Sequence, residues 1–114
     1  MARSLIIRRL DGLWSLRAGG AVLGESRAVL ELAESGHLPV LYVPRADIAM
    51  QFFEPGERRS VCPLKGTARY YSIITKSTVL RDAAWSYEEP TKEAEALRDH
   101  LAFEAERGIT LEQL

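Results

Sequence analysis

Thr67-Ala68-Arg69-Tyr70-Tyr71-Ser72-Ile73-Ile74-Thr75-Lys76-Ser77-Thr78-Val79-Leu80-Arg81-Asp82-Ala83-Ala84-Trp85-Ser86-Tyr87 decides the fold. Two runs, Thr67 to Thr75 and Thr78 to Tyr87, are rich in Thr, Tyr, Ile, Val and Trp. Such side chains suit a pleated, half-buried surface. Lys76-Ser77 separates the runs but is a poor type I′ pair, so the loop extends from Thr75 to Thr78 as the alternative. Either loop sets Ile74 across from Val79. In that register Ala68, Tyr70, Ser72 and Ile74 share a face with Val79, Arg81, Ala83 and Trp85, and Tyr71 lies opposite Asp82. Tyr87 follows Trp85 on the same face. An aromatic set of this kind is ordinarily core, but its polar tips need partners, which is one way pockets arise.

Working outward, Leu13 to Glu25 reads as a hairpin turned by Gly19-Gly20, with Trp14, Leu16 and Ala18 alternating against Ser15 and Arg17. Ala28 to Glu34 is open between helix and strand. Its Ala, Leu and Glu favour helix, whereas Ala28, Leu30 and Leu32 would share one face of a strand. Pro39 to Val43 is a short β-branched strand that stops at Pro44. Arg45 to Phe53 suits a short helix, with Pro44 at its first turn and Ile48, Met50 and Phe52 apolar. Pro55-Gly56 reads as a turn. Thr91 caps a helix over Lys92 to Asp99. His100 to Glu104 either extends that helix or forms a strand, and Ile109 to Leu111 forms a short terminal strand after Gly108. The expectation is a mainly β domain, bordering on α+β: a small antiparallel sheet with one to three short helices.

The chain has 114 residues, which sets one domain over 1–114 as the expectation. Hydrophobic residues make up 46%, enough for a core without a disulfide or metal staple. A formal charge of −1 gives little pull toward nucleic acid or anionic lipid, so neither is expected as a partner. Arg8-Arg9 and Arg58-Arg59 read as solvated basic pairs. One cysteine allows no internal disulfide and fits a reducing compartment. The stretch Met1 to Leu10 carries no apolar run of signal length, and no span approaches the ~20 apolar residues that cross a bilayer. A cytoplasmic protein without a cofactor is expected.

Candidate chemistry centres on Cys62-Pro63-Leu64-Lys65-Gly66. Cys62 is a candidate nucleophile, with Arg58, Arg59 and Lys65 near enough in sequence to lower its pKa, against the reading of an inert packed thiol. Lys65-Gly66 ends like a phosphate loop, but the upstream glycine is missing and a strand follows, so a P-loop is rejected. Lys65 still offers a point charge to an anion. Glu34, Arg45 and Asp47 form a scattered polar set around the end of the Tyr42-Val43-Pro44 strand. The two histidines, His37 and His100, have no metal-ligand spacing, so no metal is expected.

Together these pieces resemble an uncharacterised family, the DUF427 domain. The matching residues are Ser26 and Glu34, Tyr42-Val43-Pro44-Arg45-Ala46-Asp47-Ile48, Cys62-Pro63-Leu64-Lys65-Gly66-Thr67-Ala68-Arg69-Tyr70-Tyr71, Ala83-Ala84-Trp85-Ser86-Tyr87-Glu88-Glu89-Pro90 and Ala102-Phe103. The resemblance implies a β-tent, or Mss4-like, architecture, and strands at Ala28 to Glu34 and around Leu101 to Phe103. Many β-tent proteins hold a structural zinc with two Cys-x-x-Cys pairs, which a single cysteine cannot supply. A nucleotidyltransferase-like label attaches to the family, but the Gly-Ser and Asp-x-Asp hallmarks of that class are missing here. The chain departs from the family at Val61, Leu64 and Glu104. The polar residues carried over by the motif are Glu34, Arg45, Asp47, Cys62, Lys65 and Tyr87.

The function expected is binding of a small anionic metabolite, with an unassigned reaction as an extension of it. Tyr42, Tyr70, Trp85 and Tyr87 would wall the pocket. Lys65 and Arg45 would grip the anion, and Glu34 or Asp47 would accept a hydrogen bond or carry a proton. The alternatives are a non-catalytic protein-interaction module, nucleotidyltransferase-like activity, and a polar network that only fixes the fold. Burial separates the first two: a concave, partly buried site for Glu34, Arg45 and Lys65 favours a ligand, and a flat apolar surface favours a protein partner.

Overall fold

The computed structural model describes residues 4–104 and 107–114. Residues 1–3, the start of the stretch read for a signal segment, lie outside that set. Among the described residues the chain forms β1 (Leu5–Arg9), β2 (Trp14–Ala18), β3 (Ala21–Ser26), β4 (Leu30–Glu34), β5 (Val40–Pro44), β6 (Phe53–Cys62), β7 (Gly66–Ile74), β8 (Val79–Pro90), β9 (His100–Phe103) and β10 (Ile109–Gln113). These make a seven-stranded sheet in the order β1-β4-β5-β9-β8-β7-β6 and a three-stranded sheet β10-β2-β3. The strand pairings are antiparallel. The mainly β expectation holds. Among the described residues helical structure is confined to 3₁₀ turns at Arg45–Asp47, Met50–Phe52 and Lys92–Leu97.

Successive strand residues point to opposite faces, and the larger sheet buries both. On β5, Val43 packs with Leu16, Leu23, Tyr71, Ala84 and Leu101 in the core shared with the small sheet. Its neighbour Tyr42 packs with Leu32, Ala68, Tyr87, Ala102 and with Ala94 and Leu97 of the last 3₁₀ turn. These two cores decide which candidate residues can meet.

Several local readings change. The helix expected over Arg45 to Phe53 is two separate turns, joined by Ile48 in extended conformation. Ile48 bridges Gly24 across to β3, and that outside contact competes with a continuous helix. Pro55-Gly56 is no chain reversal; it lies inside β6. Pro55 pairs with Tyr71 and Arg59 with Arg69, so Gly56-Glu57-Arg58 bulge out opposite one residue of β7. Thr91 does not cap the following turn with its side chain. Its hydroxyl instead donates to the Leu64 carbonyl at 2.7 Å. Ala28 to Glu34 resolves toward strand as β4, and His100 to Phe103 is strand as well. β1 had no reading from the sequence; it forms because Leu5 to Arg9 pairs with β4.

The deciding hairpin has the expected start and an unexpected finish. Ile74 faces Val79, and the Thr75 N–H donates to the Thr78 carbonyl across a four-residue loop. Further along, Tyr71 lies opposite Ala84 rather than Asp82. Asp82 adopts a positive φ of 49°, and its N–H donates to Ser72 Oγ at 3.1 Å instead of to the ladder. Two extra residues are thereby inserted in β8. Across Arg69 to Tyr71 this even shift preserves parity, so Tyr70 still meets Trp85. Ala83, expected on the face of Trp85, packs instead in the core of Val43, and one further residue is inserted in β8 between the Arg69 and Thr67 pairings.

Ser86 is fully buried on β8, and its Oγ donates to the His100 carbonyl at 2.7 Å. Ser86→Ala removes the donor and leaves a carbonyl to be satisfied otherwise. A loss of about 1–2 kcal/mol is expected from the urea midpoint, with the slope unchanged.

Candidate functional site

Lys65 is placed by a tight turn and a strap. Its N–H donates to the Cys62 carbonyl, and its own carbonyl accepts from the Thr91 N–H at 3.0 Å. Glu34 sits at the end of β4, across the sheet face. The Lys65 ammonium donates to Glu34 Oε1 at 2.9 Å, with both side chains largely buried, at 17% and 7% exposure. Lys65 Nζ also lies 5.7 Å from the centre of the Tyr87 ring. His37 Nε2 stands 3.8 Å from Glu34 Oε2. Cys62, a half-buried free thiol, packs against the same core.

The aromatic side chains fall on this face too. Trp85 Nε1 donates to the Tyr42 hydroxyl at 3.4 Å. The Tyr70 and Trp85 rings are 6.3 Å apart. The Tyr70 hydroxyl donates to Ser60 Oγ at 3.2 Å, and the Arg58 guanidinium lies 4.2 Å from the Tyr70 ring centre. Tyr42 and Tyr87 are buried, so they are core first and pocket wall second.

Electrostatics fix the protonation states. Burial alone lowers the Lys65 pKa, but the hydrogen bond to Glu34, with Tyr87 and Cys62 close by, outweighs it and holds the ammonium above its ordinary value. Lys65 is therefore a standing positive charge at neutral pH and no general base or amine nucleophile. Burial raises the Tyr42 phenol well above its ordinary range, against a lowering by the Trp85 hydrogen bond. Burial also raises Tyr87, partly countered by Lys65. Both phenols are donors, not anions.

Arg45 and Asp47 do not join this cluster. Arg45 lies two residues beyond Val43 and reaches over the opposite face. Its Nη2 donates to the Tyr71 hydroxyl at 3.0 Å and pairs with Glu88 Oε2 at 3.3 Å. The Tyr71 hydroxyl donates in turn to Glu88 Oε2. Burial lowers the Arg45 pKa and these two partners more than restore it. Asp47 accepts a 2.7 Å hydrogen bond from Ser26 Oγ, which itself accepts from the Ala28 N–H. It serves as a clamp between the first 3₁₀ turn and the end of β3. The joint grip of Arg45 and Lys65 on one anion is thus not formed. Sequence reasoning also missed Tyr71 and Glu88 as partners of Arg45, because the insertions in β8 that bring Glu88 under Tyr71 leave no mark in hydrophobic periodicity.

Among the described residues no three His, Cys, Asp or Glu side chains gather as a metal-ligand set, and no helix is long and apolar enough to cross a membrane. A family model described as a domain of unknown function (DUF427) matches residues 7–112. No curated protein matches the chain.

Proposed function

We propose, for a chain that belongs to the DUF427 family, that Lys65 and Tyr87 form the recognition point for a small anionic metabolite. The observation that carries this reading is unused bonding capacity on a fixed cation. Lys65 has three N–H donors, and one is directed at Glu34. The Tyr87 hydroxyl makes no hydrogen bond among the described residues, yet Lys65 lies over its ring. A carboxylate or phosphate oxygen placed between them gains a charge-assisted bond and a phenolic donor. Glu34 holds the ammonium in place, and Trp85 with Tyr42 stiffens the floor beneath. Partial burial of Glu34 and Lys65 supports a ligand, while Arg45, the third residue of the criterion set out from the sequence, lies on the other face.

A thermal-shift panel of carboxylates, run in phosphate-free buffer, tests the reading. A binder at 100 times its Kd adds about 2.7 kcal/mol, or roughly 4–8 °C in a domain near this size. The shift is expected in the wild type and in Arg45→Gln, and is expected to disappear in Lys65→Ala and in Tyr87→Phe. Tyr87→Phe keeps the packing, so a fold defect cannot mimic its effect. A shift that persists undiminished in both Lys65→Ala and Tyr87→Phe overturns the assignment.

One observation favours the interaction module as a second reading. A groove of about 540 Å³ runs beside Leu38 to Leu41, Trp85, Phe103 and Leu111, and Leu38 at its mouth is 87% exposed. Apolar groups left open in this way suit a partner's side chain. Leu38→Lys is expected to abolish such an association without touching anion binding.

A further inference from the structure

On the opposite face from Lys65, two arginines face each other across neighbouring strands. Arg59 of β6 is the direct cross-strand partner of Arg69 of β7. Like charges placed opposite in a sheet repel. Among the described residues one ion pair touches it, between Glu88 and Arg69. Arg59 Nη1 donates to the Gly56 carbonyl at 3.0 Å and the Arg58 carbonyl at 3.1 Å. Arg69 Nε donates weakly to the same Gly56 carbonyl at 3.4 Å. The nearest carboxylate, Glu88, is 4.0 Å from Arg69 Nη1, beyond hydrogen-bond reach, and its other oxygen is occupied by Tyr71 and Arg45. Among the described residues both guanidiniums therefore keep N–H groups without acceptors, and both border one open cleft of about 290 Å³ that Thr67, Ala68, Glu88 and Glu89 also line.

We propose that this cleft is a phosphate site, separate from the Lys65 site, in which Arg59 and Arg69 grip the terminal phosphoryl group of a small phosphomonoester. A carboxylate has two oxygens and satisfies one guanidinium fork. A phosphoryl group offers three, enough to bridge two forks on adjacent strands and to accept from the Thr67 hydroxyl. Its two negative charges also cancel the opposed pair. The cleft volume suits a phosphoryl head with the remainder of the molecule lying outside. The Glu88 and Glu89 carboxylates in the lining disfavour a long polyanion, so the source is a monoester and not a diester backbone. The Arg45–Glu88–Tyr71 network beside it holds one Glu88 oxygen, so the carboxylate reaches Arg69 only through the other, at 4.0 Å.

The test is phosphate binding by the full chain, followed by amide NMR shifts and calorimetry, with inorganic phosphate and glycerol phosphate as probes and malonate and a short single-stranded oligonucleotide as competitors. Both probes are expected to shift the amides of residues 56–59 and 67–69. Arg59→Gln and Arg69→Gln are each expected to weaken binding about tenfold or more. Arg58→Gln is expected to leave the shifts of those amides unchanged, and reading the shifts residue by residue keeps this site apart from the one at Lys65. Without ligand, Arg69→Gln should be at least as stable as wild type, because a repulsion is relieved; a purely structural arginine would lose stability. Affinity unchanged in both Arg59→Gln and Arg69→Gln, or lowered equally by Arg58→Gln, overturns the proposal. So does an oligonucleotide or malonate that competes better than glycerol phosphate.

Discussion

Gly66→Ala is expected to cost about 2–6 kcal/mol, and to be among the most damaging single-methyl changes the chain can suffer. Two independent penalties combine. Gly66 has a φ of +112°, where a side chain is strained by about 1–3 kcal/mol. A Cβ built there would lie 2.3 Å from the Glu89 carbonyl oxygen, 2.9 Å from Pro90 Cα and 3.0 Å from the Thr91 nitrogen. All three are backbone atoms, so no side chain can swing aside, and overpacking adds about 1–3 kcal/mol. The same approach allows the Thr91 N–H to reach the Lys65 carbonyl, so relief of the clash would pull Lys65 from Glu34. Gly36→Ala is the matched control. Gly36 also has a positive φ, but no atom lies within 4 Å of the added carbon. It should lose about 1 kcal/mol. Equal urea midpoints for the two variants would contradict the described closeness of β7 and β8.

The second large effect is alkaline. Tyr42, Tyr71 and Tyr87 all have raised pKa values, each chiefly through burial. In the unfolded chain a tyrosine loses its proton near the ordinary value of 10.0. Above that pH the unfolded state holds fewer protons than the folded state, so stability falls as pH rises. The stabilisation is fully present below pH 10.0 and is lost as the pH climbs through the higher folded values. Lys65 acts in the same direction, since its folded pKa is also raised and its pairing with Glu34 ends on deprotonation. Each group that must ionise contributes a slope of about 1.4 kcal/mol per pH unit. The melting temperature is expected to be flat from neutral pH to about 9 and to drop steeply beyond 10, with the phenolate absorbance of these three tyrosines, read in a Tyr70→Phe background, appearing only as the fold is lost. Phenolate absorbance that grows smoothly while the fold remains intact would mean that the three hydroxyls are solvated.

The fold was legible in the sequence where side-chain pattern and backbone geometry agree. Gly19-Gly20 and the alternation of Trp14, Leu16 and Ala18 gave the β2–β3 hairpin, and the Tyr, Thr and Ile content of Thr67 to Thr75 gave β7. What escaped was decided by single backbone groups. Asp82 turns its N–H to Ser72 Oγ, and this shifts the register by two residues. Pro55-Gly56 has the composition of a turn, yet it lies in an edge strand, where proline loses no ladder bond. The Ala, Leu and Glu of β4 favour helix in isolation, and pairing on both sides with β1 and β5 overrides them. The candidate site was legible in part. Glu34, Lys65, Cys62, Tyr42, Tyr70, Trp85 and Tyr87 share one face, a consequence of strand parity that survives an even shift. Arg45 could not be placed by sequence distance, because it follows β5 in the first 3₁₀ turn and turns to the side of Val43, not that of Tyr42.

The bulge in β6 has a further consequence for the life of the molecule in crowded solution. β6 is an outer strand of the larger sheet, ten residues long, with Val61 75% exposed. A straight edge of that length would be a template on which other chains could stack. Pro55 removes one donor from the rim, Gly56-Glu57-Arg58 buckle it out of line, and Glu54, Glu57, Arg58 and Arg59 coat it with charge. The distortion that made this segment hard to read from its composition is also what keeps its rim from seeding aggregates.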